Sequence, residues 1–277
     1  MKIVYTEKTL DYGVIGHPDS PERVQKAHEY LKDLDIYEFV KPEPANEEDI
    51  KLVHTKDIFE KVKKGNFFDP DCPVYENLFE QALLSAGGAI KAQELQGFSL
   101  MRPPGHHAGE GAIGGFCYFN NLAIAVKKSG LKTLIVDFDG HHGNGTEDIF
   151  HGDENVYFLS LHRAIGFPGT GKKSRDNIIN YPIGNCDDDE YIELLKEGLS
   201  KVEDIEFEQI AVSAGFDAHE RDPLASLGLS TEVYKEIGEI IAEYNLPTFA
   251  VLEGGYIGDD LGKNIDSFLK GLTKNSP

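Results

Sequence analysis

Residues 133–146 place a predicted strand directly before a cluster of carboxylates and imidazoles, and this stretch constrains the fold most. Residues 133–136 form an apolar run rich in β-branched side chains, which predicts a buried β-strand. The glycines that follow end this strand, and Thr146 is the predicted N-cap of the next helix. In open α/β sheets, ligands bind beyond the carboxyl ends of the strands. The pattern therefore predicts a ligand site at this strand end.

The polar residues of this strand end favour a metal site over the alternative, a turn whose polar residues only cap a helix. Asp139 and His141 are two positions apart, so both side chains can project to the same side. A carboxylate and an imidazole placed in this way suit a divalent ion of the zinc type. Burying many ionisable groups is costly unless they are paired or bind metal. The cluster consists of Asp137, Asp139, His141 and His142.

The acidic composition limits the classes of partner. A formal net charge of −21 argues against nucleic-acid binding, which requires a basic surface. The charge favours cationic partners such as Lys-rich tails or polyamines, although a role in solubility alone also explains it.

With 277 residues, 40% of them hydrophobic, we expect one large domain spanning residues 1–277. We find no membrane-spanning run and no secretion signal, and three cysteines without paired spacing, so we expect a cytoplasmic protein.

Residues suited to chemistry recur where successive predicted strands end. Loops beyond strand ends build the active sites of α/β proteins, so this recurrence predicts that the side chains meet in one site. The expected fold is α/β: an open, mostly parallel β-sheet with helices on both faces. The recurring residues are His106 and His107, Asp139 and His141, Asp217, and Tyr256.

Two helix features predict tight or specific contacts. Gly87 and Gly88 lie inside a helix predicted at 78–95, where each glycine costs about 1 kcal/mol relative to alanine, so close packing against another element is expected. Ser20 and Pro21 predict the start of another helix. Arg23 then falls in its first turn, where the helix dipole disfavours a cation. Either a specific partner or simple solvation explains Arg23.

Taken together and in order, these motifs resemble those of the histone deacetylase superfamily, which has the arginase–deacetylase fold. The ordered set extends from His17 to about Tyr256 and is far more specific than any of its parts. The matching segments are Asp71–Val74, Leu84–Gly88, Arg102–Ala108, Gly115–Cys117 with Asn120 and Asn121, Asp137–Gly143, Ser160–His162, Ala214–Asp217 and Glu253–Tyr256.

The resemblance implies one catalytic metal ion. Asp139, His141 and Asp217 match the three zinc ligands of the family, and three protein ligands leave the open position that a catalytic zinc needs. Ferrous iron is the alternative ion. The related arginases hold two metals with an Asp-x-His-x-Asp motif, whose last position is Gly143 here. We therefore predict one metal ion and no ureohydrolase activity.

The resemblance also assigns catalytic roles. His107 matches the general base that later protonates the leaving amine, and His106 matches the neighbouring electrostatic histidine. Tyr256 matches the tyrosine that donates to the developing oxyanion. Asp137 matches the carboxylate that orients His106. Asn144 stands where class I members have an aspartate beside the general base, so His107 should be less basic than its class I counterpart.

A structural potassium ion is implied next to the metal. Its ligands would be the Asp137 carboxylate, the Ser160 hydroxyl and three backbone oxygens, those of Asp139, His141 and Leu161. A second potassium site would match Phe150, Asp153 and Val156.

The remaining matches concern substrate and product. The family's narrow acyl-lysine tunnel implies a substrate-binding set, and Asp71 matches the rim aspartate that accepts hydrogen bonds from the substrate backbone. Arg23 matches the arginine at the internal exit for acetate. Relatives that prefer acetylpolyamines tend to carry a glutamate near the position of Leu224, so an apolar residue there favours acyl-lysine. The substrate-binding set is Asp71, Gly115, Phe116, Phe167, Leu224 and Gly255.

Three functions follow from these predictions, in order of preference. The first is a zinc-dependent deacetylase of Nε-acyl-lysine in a protein or peptide. The second is an amidohydrolase of acetylated polyamines or other small acyl-amines. The third is a non-catalytic acyl-lysine binding module, which would require the loss of a metal ligand or of Tyr256, and this sequence has lost neither. The sequence leaves the number of subunits open.

Overall fold

Eight parallel strands form one sheet in the computed structural model, which describes residues 1–274. The spatial order of the strands is β2-β1-β3-β8-β7-β4-β5-β6, and every neighbouring pair is parallel. Their carboxyl ends therefore meet along one edge of the sheet. The strands are β1 (Lys2–Val4), β2 (Glu38–Val40), β3 (Phe98–Ser99), β4 (Thr133–Asp137), β5 (Val156–Arg163), β6 (Ile178–Ile183), β7 (Gln209–Ala214) and β8 (Thr248–Leu252).

Helices cover both faces of this sheet, as the predicted α/β class requires. Alternate residues of β4 point to opposite faces, with Leu134 and Val136 in one hydrophobic core and Ile135 in the other. Helices α1, α7, α8 and α9 pack on the first core, and α2 to α5 pack on the second. The helices are α1 (Pro21–Asp33), α2 (Glu47–Lys51), α3 (Lys56–Lys64), α4 (Leu78–Leu95), α5 (Asn121–Ser129), α6 (Asn144–Phe150), α7 (Asp188–Ser200), α8 (Val233–Ala242) and α9 (Gly258–Leu272). A 3₁₀ helix spans Glu7–Leu10.

The close packing predicted for the two glycines of α4 is confirmed. A Cβ atom on Gly87 would overlap the backbone oxygen of Glu43, and one on Gly88 would lie 2.6 Å from the Met101 side chain. The helix itself has the predicted bounds, Leu78–Leu95. The two glycines thus let α4 lie against the neighbouring chain at a distance that a larger residue would prevent.

The prediction that Thr146 caps α6 is wrong. The helix begins at Asn144, and Gly143 is its N-cap residue. The backbone N–H groups of Gly145 and Thr146 donate to the carbonyl oxygen of His106 at 3.0 and 3.1 Å. A carbonyl from a distant loop therefore satisfies the donors that a capping side chain would otherwise take.

Two strands were not predicted, and both lie at the edges of the sheet. β2 has three residues, of which none is fully buried, so it lacks an apolar signal. β6 contains Pro182, a residue that argues against a central strand but is tolerated at an edge. The sheet is wholly parallel, where a mostly parallel one was expected, because every neighbouring pair of strands is parallel. Within residues 1–274, no helix combines the length and the apolar character needed to cross a bilayer.

Candidate active site

Two neighbouring strands bring the predicted metal ligands together. Asp139 and His141 follow β4, and Asp217 follows β7, which lies beside β4 in the sheet. One ligand atom from each of the three side chains lies within 4.8 Å of the others. His141 Nδ1 is 2.7 Å from Asp217 Oδ2 and 3.2 Å from Asp139 Oδ1. No other group of three His, Cys, Asp or Glu side chains in the described chain comes so close together.

The charge balance of this triad suits a cation. Burial, together with the negative charge of Asp139, raises the pKa of Asp217 to about 7. Burial opposes ionisation of Asp139 as well, but His106 and His141 outweigh it and hold the pKa of this carboxyl below its usual value. Two buried carboxylates and one imidazole form a donor set that fits a divalent zinc or iron ion. A bound dication would favour the ionised form of Asp217.

Glycines and backbone N–H groups hold the two carboxylates in place. Gly254 N donates to Asp139 Oδ2 at 2.7 Å, and Gly140 N donates to Asp217 Oδ1 at 2.6 Å. A Cβ atom on Gly215 would overlap the Asp139 carboxylate. At Gly143, the position of the missing third carboxylate, a Cβ atom would overlap Asp137 Oδ2. The local packing therefore leaves no room there for the side chain that arginases use.

The two adjacent histidines have different partners and different proton affinities. His106 Nδ1 donates to Asp137 Oδ2 at 3.0 Å, and His107 Nδ1 donates to Asn144 Oδ1 at 2.7 Å. Burial disfavours the charged form of His106, but Asp139 and Asp137 outweigh it and raise its pKa to about 10. Burial, followed by repulsion from His106 and His141, lowers the pKa of His107 well below its usual value. The neighbouring carboxylates therefore favour the charged form of His106, whereas burial favours the neutral form of His107.

Glu253 positions the histidine loop, a role that the sequence reasoning missed. Its Oε2 accepts hydrogen bonds from Gly105 N at 2.7 Å and from His106 N at 3.1 Å. Burial raises the pKa of this carboxyl to about 7. An acidic residue directly after the buried strand β8 was the signal that could have identified it.

A backbone hydrogen bond and a ring contact hold Tyr256 in place. Asp222 Oδ2 accepts from Tyr256 N at 2.8 Å, and Asp222 Oδ1 accepts from Leu224 N at 2.9 Å. The Phe116 ring lies edge-on to the Tyr256 ring, with a centroid distance of 5.8 Å. Asp222 was also not predicted as a site residue, because a carboxylate that binds only backbone N–H groups has no characteristic spacing.

Arg23 has specific partners, as one of the two interpretations proposed. It is 2% exposed, and its Nη1 donates to Asp19 Oδ1 at 2.8 Å. Its Nε donates to the carbonyl oxygen of Gly255 at 2.8 Å and its Nη2 to that of Glu253 at 2.6 Å. The guanidinium carbon also lies 5.0 Å from the centre of the Tyr256 ring. Arg23 thus supports the loop that carries Tyr256.

A cavity of about 240 Å³ opens beside the metal triad and the histidines. Five of the six residues predicted to bind substrate line it. The sixth, Gly255, lies behind Tyr256 with its carbonyl on Arg23. Arg163, Ile165 and Gly166 also line the cavity and were not predicted. The complete lining is Asp71, His107, Gly115, Phe116, His141, Arg163, Ile165, Gly166, Phe167, Leu224 and Tyr256.

The residues predicted to bind the first potassium ion come from adjoining strands. Asp137 and Ser160 are register partners across the β4–β5 pair, and Leu161 follows Ser160 directly. Asp139 and His141 belong to the loop after β4. The sheet thus brings the residues of this predicted set near one another, on the strands beside the metal triad.

Comparisons with known proteins agree with this geometry. The family model described as the histone deacetylase domain matches residues 17–272. A probable deacetylase of Methanothermobacter thermautotrophicus is 37% identical over 284 residues, covering 93% of this chain and 86% of the relative. The acetylpolyamine amidohydrolase of Mycoplana ramosa is 38% identical over 215 residues, covering 70% of this chain and 63% of the relative.

A human protein and a solved crystal structure are also similar to this chain. Histone deacetylase 1 of Homo sapiens is 30% identical over 277 residues, covering 87% of this chain and 58% of the relative. The crystal structure of the HDA15 HD domain superposes with a TM-score of 0.91 at 27% identity, covering 100% of this chain and 89% of that one. Family membership removes the non-catalytic alternative, because the matched relatives are named as deacetylases and amidohydrolases. This chain belongs to the histone deacetylase family and is a hydrolase.

Proposed function

We propose that this chain is a zinc-dependent deacetylase that hydrolyses the amide of Nε-acetyl-lysine in a protein or peptide. The observation that carries the proposal is the convergence of Asp139, His141 and Asp217 beside a cavity that His107 and Tyr256 also line. These three residues would hold the zinc ion, with ferrous iron as the alternative. When bound, the ion supplies Lewis acidity and lowers the pKa of water.

His107 acts as the general base in this proposal. Its Nδ1 carries a hydrogen, because Asn144 Oδ1 can only accept, and this leaves the Nε2 lone pair free. The low pKa of His107 keeps the ring neutral and able to take a proton from the attacking water. The same proton then passes to the leaving amine. The amide of Asn144 stabilises the resulting imidazolium less than a carboxylate would.

His106 and Tyr256 stabilise negative charge. His106 Nδ1 donates to Asp137 Oδ2, and this carboxylate favours the charged form of the ring, so His106 directs positive charge toward the reacting atoms. The Tyr256 hydroxyl donates a hydrogen bond to the developing oxyanion. Asp222 and Arg23 are positioning residues for this loop, and we retain the predicted role of Arg23 at the acetate exit.

The proposal includes one potassium ion held by Asp137, Ser160 and the backbone oxygens of Asp139, His141 and Leu161. His162 Nε2 donates to the Gly171 carbonyl at 3.1 Å, so its Nδ1 accepts from Ser160 Oγ at 2.9 Å. Burial, with a smaller contribution from His142, lowers the pKa of His162 to about 3 and keeps this ring neutral. The lone pairs of the Ser160 hydroxyl stay available to a cation.

Three residues that line the cavity, Arg163, Leu224 and Asp71, support acyl-lysine over a polyamine. Arg163 is exposed, and its Nη1 donates to the carbonyl oxygen of Leu224 at 3.1 Å. A guanidinium beside an apolar side chain repels the second ammonium of an acetylated polyamine, whereas peptide carbonyls can accept its hydrogen bonds. Asp71, on the same cavity, can accept from peptide N–H groups.

An acetylated polyamine is the second candidate substrate, and separate observations favour it. The relative from Mycoplana ramosa is named an acetylpolyamine amidohydrolase and is 38% identical. The formal net charge of −21 also attracts polycations over long distances. The two candidates differ in whether the substrate carries a second ammonium near Leu224 and Arg163.

A substrate comparison on one metal-analysed sample tests the proposal. We expect kcat/KM for an acetyl-lysine peptide to exceed that for an acetylated polyamine by roughly tenfold, equivalent to about 1.4 kcal/mol. Leu224→Glu should reduce this ratio because it adds a carboxylate for the second ammonium, and Leu224→Gln is the uncharged control of similar size. A polyamine preference in the wild-type protein would support the second candidate. A sample with one zinc per chain and no turnover of either substrate would refute both.

A further inference from the structure

Three backbone carbonyl groups between α6 and β5 converge on the side-chain amide of Asn177. The Nδ2 atom lies 2.7 Å from the oxygen of Phe150, 3.2 Å from that of Asp153 and 2.7 Å from that of Val156. These are the three residues at which the family resemblance implied a second potassium ion. The carbonyls of all three residues do converge, but a nitrogen atom of the protein occupies the position between them.

The orientation of this amide is fixed by its other end. Asn177 Oδ1 accepts a hydrogen bond from Gly152 N at 2.8 Å, so Nδ2 must face the three carbonyl oxygens. Asn177 is 7% exposed, and its own carbonyl accepts from Phe158 N at 3.0 Å. An ion bound to the same three oxygens would need the space that Nδ2 holds. The residues present therefore do not fit a potassium ion at this position.

A neighbouring lysine supplies positive charge to the same turn. Lys127 Nζ lies 2.6 Å from Asp153 Oδ2 and 5.2 Å from the centre of the Phe150 ring. The Asp153 carboxylate is thus already paired with a cation from α5. The positive charge of Lys127 therefore offsets the attraction that this carboxylate would exert on a further cation at this turn.

We propose that Asn177 is a built-in replacement for the second potassium ion. Its two N–H hydrogens provide the positive partial charge that the carbonyls would otherwise draw from a bound cation. The amide joins the end of α6 to the start of β5 and β6, and α6 begins at Asn144, the partner of His107. The connection that supports the general base is therefore independent of potassium.

The test measures how the unfolding equilibrium constant of the full chain depends on potassium concentration at constant ionic strength. Asn177→Asp keeps an acceptor for Gly152 but places a fourth oxygen among the carbonyls, and Asn177→Ala leaves the carbonyls without a partner. In both variants we expect the unfolding constant to fall by an additional factor of about 10, relative to wild type, for each tenfold rise in saturating potassium. This comparison needs no active enzyme, and an ion at the first potassium site contributes equally to wild type and variants, so it cancels in their difference.

Asn180→Ala is the matched control for these variants. Asn180 is a buried asparagine of β6, the strand that begins directly after Asn177, and its Nδ2 donates to Glu147 and Lys173 instead of the three carbonyls. Its potassium dependence should equal that of the wild type. The proposal is overturned if wild type already shows the dependence expected for two ions. It is equally overturned if neither Asn177 variant gains dependence, or if Asn180→Ala gains as much as they do.

Discussion

His54 should make the folded protein lose stability as the pH falls below about 6.5. Its Nδ1 donates to the Gly109 carbonyl at 2.9 Å, and its Nε2 accepts from Asn120 N at 2.8 Å. Protonation of Nε2 would break the second bond and leave a charge in a buried site. Burial accordingly lowers the pKa of His54 from 6.5 to about 4.

The sign and size of the effect follow from proton linkage. The unfolded chain takes up a proton at a pKa of about 6.5, and the folded chain does so only near 4, so stability rises with pH across this window. The full difference is about 3 kcal/mol at 1.4 kcal/mol per pH unit. About 2 kcal/mol of it should be lost between pH 7.5 and pH 5.

Urea unfolding of wild type and His54→Gln at several pH values isolates this contribution. The glutamine side chain has amide N–H donors and an oxygen acceptor but does not titrate. Other histidines and the metal ligands affect both proteins equally. We expect the stability difference between the two proteins to shift by about 2 kcal/mol in favour of the variant between pH 7.5 and pH 5. A difference that stays constant over this range would refute the assigned tautomer and the burial argument.

Two substitutions test the site itself. Tyr256→Phe should lower turnover by roughly 10²-fold or more while metal content stays the same, as expected for loss of an oxyanion donor; turnover equal to wild type would contradict that role. Asp217→Ala should lose the metal ion, because it removes one of the three protein ligands and one of the two carboxylates that balance the charge of the ion. Metal analysis by mass spectrometry checks this, and a full zinc complement in the variant would remove Asp217 from the ligand set.

The sequence predicted those parts of the site whose side chains carry the chemistry. Asp139, His141 and Asp217 could be placed together because parallel strands end at one edge, and buried apolar runs mark those strands. The paired histidines could be matched to Asp137 and Asn144 through the family resemblance. The cytoplasmic location and the identity of the metal stay predictions.

The parts that could not be predicted depend on contacts with backbone groups or on positions at the periphery. Glu253 and Asp222 bind N–H groups of distant loops, and such contacts leave no periodic pattern in a sequence. Asn177 is one asparagine among many until its three carbonyl partners are seen. Arg163 ends a strand, and only the cavity lining identifies it as a mouth residue.

The carbonyl of His106 that caps α6 has a consequence for how activity arises during folding. This cap joins the histidine loop to the helix that carries Asn144, while Glu253, 148 residues away from Gly105, holds the same loop from β8. Three separate parts of the chain must therefore be in place before His107 has its partner and its orientation. Residues 105–146 contain both His107 and Asn144 but not Glu253, so recovery of turnover reports that β8 has joined this part of the chain and not that a local element has formed.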